Sequence, residues 1–520
     1  MYKRQNGFTI VELVIVIVVI GILSAIAIVS FSGVAKQASN AVVKSDARSL
    51  VGALGIYGVS NADLYVSWFS GNPLPAGLDA KVSPGSYGDI VTSPDKKQYC
   101  IRVFNTKSSY TSAANAYTLE QPVGACAAFA ASDDAIAATP ITSGWKAVSN
   151  SCAIRYDSNV YCWGMGAFGR HGNAENQMYT NSNVPTPVST AGVLAGKTIK
   201  SIASGEYATC AIASDDNAYC WGANFNGSSG NGTNDPAGIP TTVFKAGVLS
   251  GKTIKQIATN DRTVCAIASD NLGYCWGRNT SSQLGNGTTT DSNQPVAINT
   301  AGALSGKTLT SIAVGSDSTC AIASDGYGYC WGDGGSGTIG NGTGVGSITP
   351  AAIDRTGVLA GKTLKKISSA ISHVCVIASD DNAYCWGYGN NGNLGDGNSI
   401  SSAPVAVTNT GVLAGKTIKS ISAGYQTTCA VASDNNAYCW GSNANGELGN
   451  GSNLTSSVPV AVNKSGVLLG KTIKSISVGK ESVCAIASDN NAYCWGKNSV
   501  GDLGNGNNTT SNVPVLVTQP

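Results

Sequence analysis

The chain has 520 residues, room for two or more domains, yet only 12% are charged while glycine reaches 64 copies, a balance that suits an all-β protein rich in tight turns. Its 32 basic side chains exceed the 30 acidic ones only through Lys3 and Arg4, so the body of the chain has no basic excess with which to hold nucleic acid. Sixteen cysteines with only two histidines point to disulfides in an oxidising compartment rather than to zinc, and no cofactor is expected.

In chain order, the first element is the apolar run from Phe8 to Phe31 in "NGFTIVELVIVIVVIGILSAIAIVSF", long enough to cross a bilayer as a helix. Glu12 interrupts it, and a carboxylate at that depth needs a partner or a purpose. An ordinary secretory signal cut near Ser24, Ala25 or Ala27 is the alternative, and Glu12 within F-T-I-V-E-L speaks against it.

A short basic leader ending in Gly7, followed by Phe8 and by Glu12 five residues after the glycine, resembles the class III signal of type IV pilins and type II secretion pseudopilins. The resemblance implies that a membrane prepilin peptidase cuts between Gly7 and Phe8 and methylates Phe8. The new cationic amine then meets Glu12 of a neighbouring pilin subunit, which sets the register of helices stacked in an apolar filament core. Helix-compatible spacing of Val34, Ala38, Ala41, Val42, Leu50 and Leu54 extends the helix to about Tyr57. Beyond it, "QYCIRVFN" and "AYTLEQ" read as strands flanked by Cys100 and Cys126, an arrangement similar to the small sheet and disulfide-closed region of a pilin head. The segment "AAFAASDDAIAATPITSG" has the small, polar composition of a linker.

Seven C-x9-C pairs follow: Cys152 with Cys162, Cys210 with Cys220, Cys265 with Cys275, Cys320 with Cys330, Cys375 with Cys385, Cys429 with Cys439 and Cys484 with Cys494. Their first members lie 58, 55, 55, 55, 54 and 55 residues apart, a period of the propeller or solenoid class. Each unit reads as four strands: "IKSIA", "TCAIA", "AYCWG" and a proline-containing last one; seven units would close a seven-bladed ring. The recurring "GKT" at Gly196, Gly251, Gly306, Gly361, Gly415 and Gly470 is not a phosphate-binding loop, because the glycine spacing is one residue too short and each copy runs into a strand.

The string C-x-I-A-S-D-x-x-x-Y-C-W-G-x-N-x-x-G-x-L-G-N-G resembles the RCC1-like repeat over residues 144–520, although the first unit lacks a preceding GKT loop. That resemblance implies a protein-binding platform and leaves the partner open. The expected fold is therefore an α+β pilin-like N-terminal region, a long helix plus a small antiparallel sheet, followed by an all-β seven-bladed RCC1-like propeller. Its segments are a leader (1–7), an apolar helix (8–31), a head (32–130), a linker (131–143) and the propeller (144–520).

A three-residue hairpin at "SDD" sets Cys210 opposite Cys220 and puts Asp216 in the left-handed region, with Asn271, Gly326, Asp381, Asn435 and Asn490 at the same place in later units. Tyr219 and Trp221 then face away from the disulfide and are expected to pack on the next blade. His373, without a nucleophile motif, is expected in a loop with no catalytic role. The S-D-x-x-x-Y-C-W stretch loosely resembles a sialidase Asp-box, but arginine in this domain is limited to Arg155, Arg170, Arg262, Arg278 and Arg355, with no convincing triad. Asp215 and Asp216 supply too few oxygens for calcium, and the N-G-T sequons at Asn286 and Asn341 read first as turns.

Topology sorts the loops onto two faces. The GKT loops and hairpins share one, read as a solvated mixed-charge rim. The other varies from unit to unit and carries Glu206, Tyr207, Arg262, Asp317, His373, Tyr425, Gln426 and Lys480, the candidate partner-binding residues. The function expected is a non-enzymatic pilin-like subunit held in the inner membrane before assembly. In a surface filament it would present the propeller to a cell-surface protein or glycan. The alternative is a membrane-anchored or secreted propeller inhibitor or hydrolase outside any filament.

Overall fold

A computed structural model describes residues 144–173, 180–398 and 400–520 in full, and the backbone of four strands before them. The chain divides into two compact units, Met1–Ile141 and Thr142–Pro520. In the first, β1 (Val66–Phe69), β2 (Ser86–Thr92), β3 (Tyr99–Asn105) and β4 (Tyr117–Gln121) form one antiparallel sheet in sequence order. The expected strands at "QYCIRVFN" and "AYTLEQ" are β3 and β4. The leader, Phe8, Glu12, the helix to Tyr57, the linker and Cys126 lie outside the described residues.

The second unit is seven four-stranded antiparallel sheets, each made of four consecutive strands. Blade one is β5 (Trp145–Ser149), β6 (Cys152–Arg155), β7 (Val160–Gly164) and β8 (Ser182–Pro187). Blade two is β9 (Ile199–Ser204), β10 (Ala208–Ala213), β11 (Ala218–Gly222) and β12 (Ala237–Thr242), and the remaining five repeat it. Every residue of β10 and β11 is buried, because the two middle strands are covered on both faces by neighbouring blades. Hence the largely apolar "ATCAIA" and "AYCWG" there, against a partly exposed outer strand.

The seven C-x9-C pairs all form disulfides across the middle strands, Cys265 to Cys275, Cys375 to Cys385 and Cys429 to Cys439 among them, with Cα separations of 4.0 to 4.1 Å throughout. The hairpins that set them opposite have φ of 58° at Asp216 and 60° at Asn271, and the equivalent residues of later blades are also left-handed. One expectation is reversed. Tyr219 and Trp221 pack against the preceding blade, in a cluster with Cys152 and Cys162, and Tyr274 and Trp276 sit in the same way on Cys210 and Cys220. Strand alternation fixes that disulfide and tryptophan lie on opposite faces; the direction of winding decides which neighbour each face meets.

The tryptophan of the third strand also donates its indole N–H to a carbonyl of the preceding blade: Trp221 to Arg170, Trp276 to Ser228, Trp331 to Gln283, Trp386 to Thr338, Trp440 to Asn393 and Trp495 to Glu447, at 2.8 to 3.0 Å. Trp163 completes the ring by donating to Asp502 at 3.0 Å. The glycine of L-G-N-G lies beneath this ring: a Cβ on Gly285, at φ +64°, would stand 2.5 Å from the Trp331 nitrogen.

The first strand of each blade lines the axis. There, Ser149, Ser368 and Ser422 accept a backbone N–H of the next blade's inner strand at 2.9 to 3.0 Å, Ser477 accepts that of Asn150 just past the inner strand of blade one at 2.9 Å, and Gln256 makes a similar link by exchanging hydrogen bonds with Ile312. No strand is shared between the first and last blades, so the ring closes through Trp145 N–H to Asn490 O at 2.7 Å, the Trp163 bond and Gly506 N–H to Asn183 O at 2.8 Å.

Candidate functional site

The GKT loop enters blades two to seven through a 3₁₀ turn such as Gly192–Leu194. The following lysine bends back on that turn: Lys307 donates to Ala303 O at 2.7 Å and Lys471 to Val467 O at 2.6 Å. The same ammonium lies 4.8 to 5.6 Å from the ring centroid of the blade's tyrosine in six blades. In five of them it also stands 3.3 to 4.0 Å from the hairpin aspartate. The expected mixed-charge rim is thus an ordered clamp. Asp215 is occupied by its own turn, accepting from the Tyr219 hydroxyl at 2.6 Å and the Asn217 N–H at 3.2 Å, so local turn chemistry accounts for the Asp-box likeness. Asn286 likewise accepts from Thr288 N–H at 3.1 Å, closing a turn.

On the opposite face the ends of the first strands and the loops after them line an axial cavity of about 260 Å³. Glu206, Tyr425 and Lys480 line it. Lys480 reaches Glu206 at 2.7 Å, spanning from blade seven to blade two, and stands 5.9 Å from the Tyr425 ring centroid. The bond to Glu206 raises the Lys480 pKa. Arg262 stacks 5.1 Å over the Tyr207 ring. Asp317 joins this group through Arg278, at 3.1 Å, which also stands 3.9 Å from Asp261. Burial pushes the Asp261 carboxyl up. Gln426 is half-buried at the same rim.

His373 does not belong there. It opens a middle strand, His373–Ala378, is 0% exposed, and its Nε2 lies 2.7 Å from Thr428 Oγ1. That hydroxyl donates to Asn393 O at 2.9 Å, so it accepts from His373, whose Nε2 carries the proton. Nδ1 is buried with no hydrogen-bond partner among the described residues, and burial lowers the pKa to about 3. A neutral histidine sealed between blades can neither meet a partner nor act as a base near neutral pH.

Two groups escaped notice in the sequence as site residues. Arg278 sits in a loop after a third strand, where arginine is an isolated departure from the repeat. Arg170, in the blade-one loop that departs most from the pattern, lines a second cavity of about 200 Å³ with Asp502, Lys497 and Glu481. Burial lowers the pKa of Arg170. It also lowers that of the neighbouring His171, to about 4.

Seven consecutive four-stranded blades with indole-to-carbonyl bonds around the ring define a β-propeller built from one repeated unit. The Regulator of chromosome condensation (RCC1) repeat matches at residues 157–212, 272–322, 380–431, 434–486 and 489–520, and a second model of it at 199–228, 418–447 and 473–502. A Prokaryotic N-terminal methylation motif matches residues 2–28. The Ultraviolet-B receptor UVR8 of Arabidopsis thaliana is 30% identical over 372 residues, covering 71% of this chain and 80% of the receptor. The chain belongs to the RCC1-repeat family. The E3 ubiquitin-protein ligase HERC2 of Homo sapiens is 27% identical over 72% of this chain, which spans only 7% of that ligase. Yeast RCC1 (Prp20), solved bound to Kap60, superposes with a TM-score of 0.59 at 20% identity, over 69% of this chain and 83% of that one. Human WBSCR16 gives 0.59 at 18% identity, over 70% and 95%. At such identities the two structures establish the fold alone.

Proposed function

We propose that this chain is a type IV pilin-like subunit that carries an RCC1-repeat propeller outside the cell for adhesion or partner recognition. One observation carries the reading: a prokaryotic N-terminal methylation motif at residues 2–28 shares a chain with a propeller stapled by a disulfide in every blade. Such bridges persist where the surroundings are oxidising, which is where a filament would display them. The layout is a leader (1–7), an apolar helix (8–31), a head (32–130), a linker (131–143) and the propeller (144–520). Its partners are the prepilin peptidase at Gly7 and Phe8, neighbouring pilin subunits through Glu12, and a surface protein or glycan on the face that holds Glu206, Tyr207, Arg262, Asp317, Tyr425, Gln426 and Lys480. The role is binding rather than catalysis: both histidines of the chain are buried, with pKa values lowered to about 4 and about 3.

Mass spectrometry of the native protein tests this first: the mature chain begins with N-methylated Phe8, and a start near Ala27 would overturn the pilin assignment. Glu12→Ala should leave the protein in the membrane yet poorly incorporated into filaments. Replacing Tyr207, Arg262 and Tyr425 together by Ala should abolish attachment with circular dichroism unchanged.

A further inference from the structure

One register position recurs around the ring, at the residue whose carbonyl receives the next blade's indole N–H. In five blades its side chain is tied to nearby backbone. Ser228 donates to Ala223 O at 2.7 Å, Gln283 to Ser316 O at 3.3 Å, Thr338 to Asp333 O at 2.6 Å and Asn393 to Tyr388 O at 2.7 Å, and Glu447 accepts from Asn445 N–H at 2.9 Å. Blades seven and one differ. There the position holds Asp502 and Arg170, and ring closure brings them to one cavity of about 200 Å³.

Arg170 is only 6% exposed, yet its guanidinium makes no hydrogen bond or ion pair among the described residues. Asp502 and Glu206 act on it through their fields without forming a bridge. Asp502 takes a backbone hydrogen bond at Val500 and lines the same cavity, and a carboxylate has acceptor sites beyond that one bond. The other charges at the rim are already spent on each other: Lys480 on Glu206 at 2.7 Å, and Lys497 on Glu481. Met165 and Val500 add an apolar wall. A nearly buried arginine costs free energy until something with a negative charge and good geometry reaches it. A bare inorganic anion answers Arg170 but offers Asp502 no donor. A neutral sugar leaves the arginine unsatisfied. What satisfies both groups is one ligand with a carboxylate for Arg170 and a hydroxyl that donates to Asp502.

We infer that this cavity binds an acidic sugar of the uronic-acid type, carboxylate on Arg170 and ring hydroxyl on Asp502, in a pocket sized for a single residue at a glycan end or branch. The inference rests on the display reading, since it names a ligand class for the same face of the propeller.

The test is isothermal titration of the purified full chain in detergent with methyl glucuronide, methyl glucoside, acetate and an N-acetylated dipeptide. Glucuronide should bind, the other three at least about tenfold more weakly, as loss of one charge-assisted bond predicts. Arg170→Gln should weaken glucuronide by about tenfold or more. Asp502→Asn should weaken it less and bring acetate closer to it. Ser499 is exposed at the cavity rim, so Ser499→Trp should block binding even if Arg170→Gln does not fold. Glucuronide binding that survives Ser499→Trp, equal binding of the glucoside or the dipeptide, or no binding at all would overturn the assignment. If it fails while the Tyr207, Arg262 and Tyr425 triple variant still loses attachment, the sugar pocket falls and the display reading stands. Glucuronide binding by a protein that never enters filaments would do the reverse.

Discussion

The interface between blades three and four and the seam between blades seven and one use the same parts differently. Inside the ring, Leu309 enters its strand by donating its N–H to Asn271 O at 2.8 Å, and covalent continuity through a GKT loop holds the two blades together. At the seam no such connection exists, and Trp145 stands where later blades have Ile or Leu. It meets Tyr161 and Trp163 of its own blade edge-on at 5.8 and 5.9 Å, clusters with Ile486 and Ala492 of blade seven, and is 0% exposed. A larger aromatic anchor replaces a covalent link. The lesson is that a closed repeat protein concentrates its special residues where the repeat has to meet itself, and Arg170, unpaired among the described residues, lies at that same place.

The strongest way to break this comparison is Trp145→Ala. We expect a loss of about 4 kcal/mol in chemical denaturation, and hydrogen exchange that rises together in residues 145–155 and 482–496. Leu309→Ala should cost about 3 kcal/mol and raise exchange only around its own blade. Matching exchange patterns in the two variants would show that the seam is no different from any other interface.

Removing a disulfide should tell less between the regions. The Cys320–Cys330 and Cys484–Cys494 bridges both have a sequence separation of 10, so each should contribute about 3 kcal/mol through loop entropy alone. The second also packs with Trp163 at the seam. A double Cys→Ala variant at the seam that costs clearly more than its internal counterpart would isolate that packing.

Acid probes the two histidines, one in blade five and one beside the seam. Both have folded pKa values below the usual 6.5, about 3 for His373 and about 4 for His171. Their contribution is therefore complete above about pH 6.5 and is lost as pH falls toward the folded values, at about 1.4 kcal/mol per pH unit for each. By pH 5 the wild type should lose about 4 kcal/mol from the pair, and His373→Gln should lose about half as much. An unchanged slope in that variant would contradict the buried neutral state. Smallest of all, Lys252→Ala should cost about 1 kcal/mol or less by releasing one clamp, with attachment unaffected.

Much of this was legible in the sequence because the period is written in cysteine. C-x9-C fixes a hairpin, the hairpin fixes two strands, and the left-handed Asp216 and its equivalents fix the turn. What stayed hidden needed the third dimension. "SAISHVC" reads as a loop because it lacks apolar alternation, yet His373 holds the same register as Ala208, Thr263 and Thr427, the first residues of their own second strands. Aligning the units, rather than judging the segment alone, would have placed it inside. Nothing local could have paired Arg170 with Asp502, because only closure of the ring brings residues more than three hundred positions apart to one cavity.

The disulfides also set how far the propeller can be stretched. Ten residues drawn straight would span roughly 35 Å, whereas the bridge holds the two Cα atoms of Cys320 and Cys330 at 4.1 Å. Each blade therefore withholds about 30 Å of contour from any pull along the chain. A subunit tethered by one end and gripping a surface with the other would give up only its unbridged loops and strands under load. In a single-molecule pull each blade should release about 45 residues of length instead of a full repeat, and reduction should restore the difference.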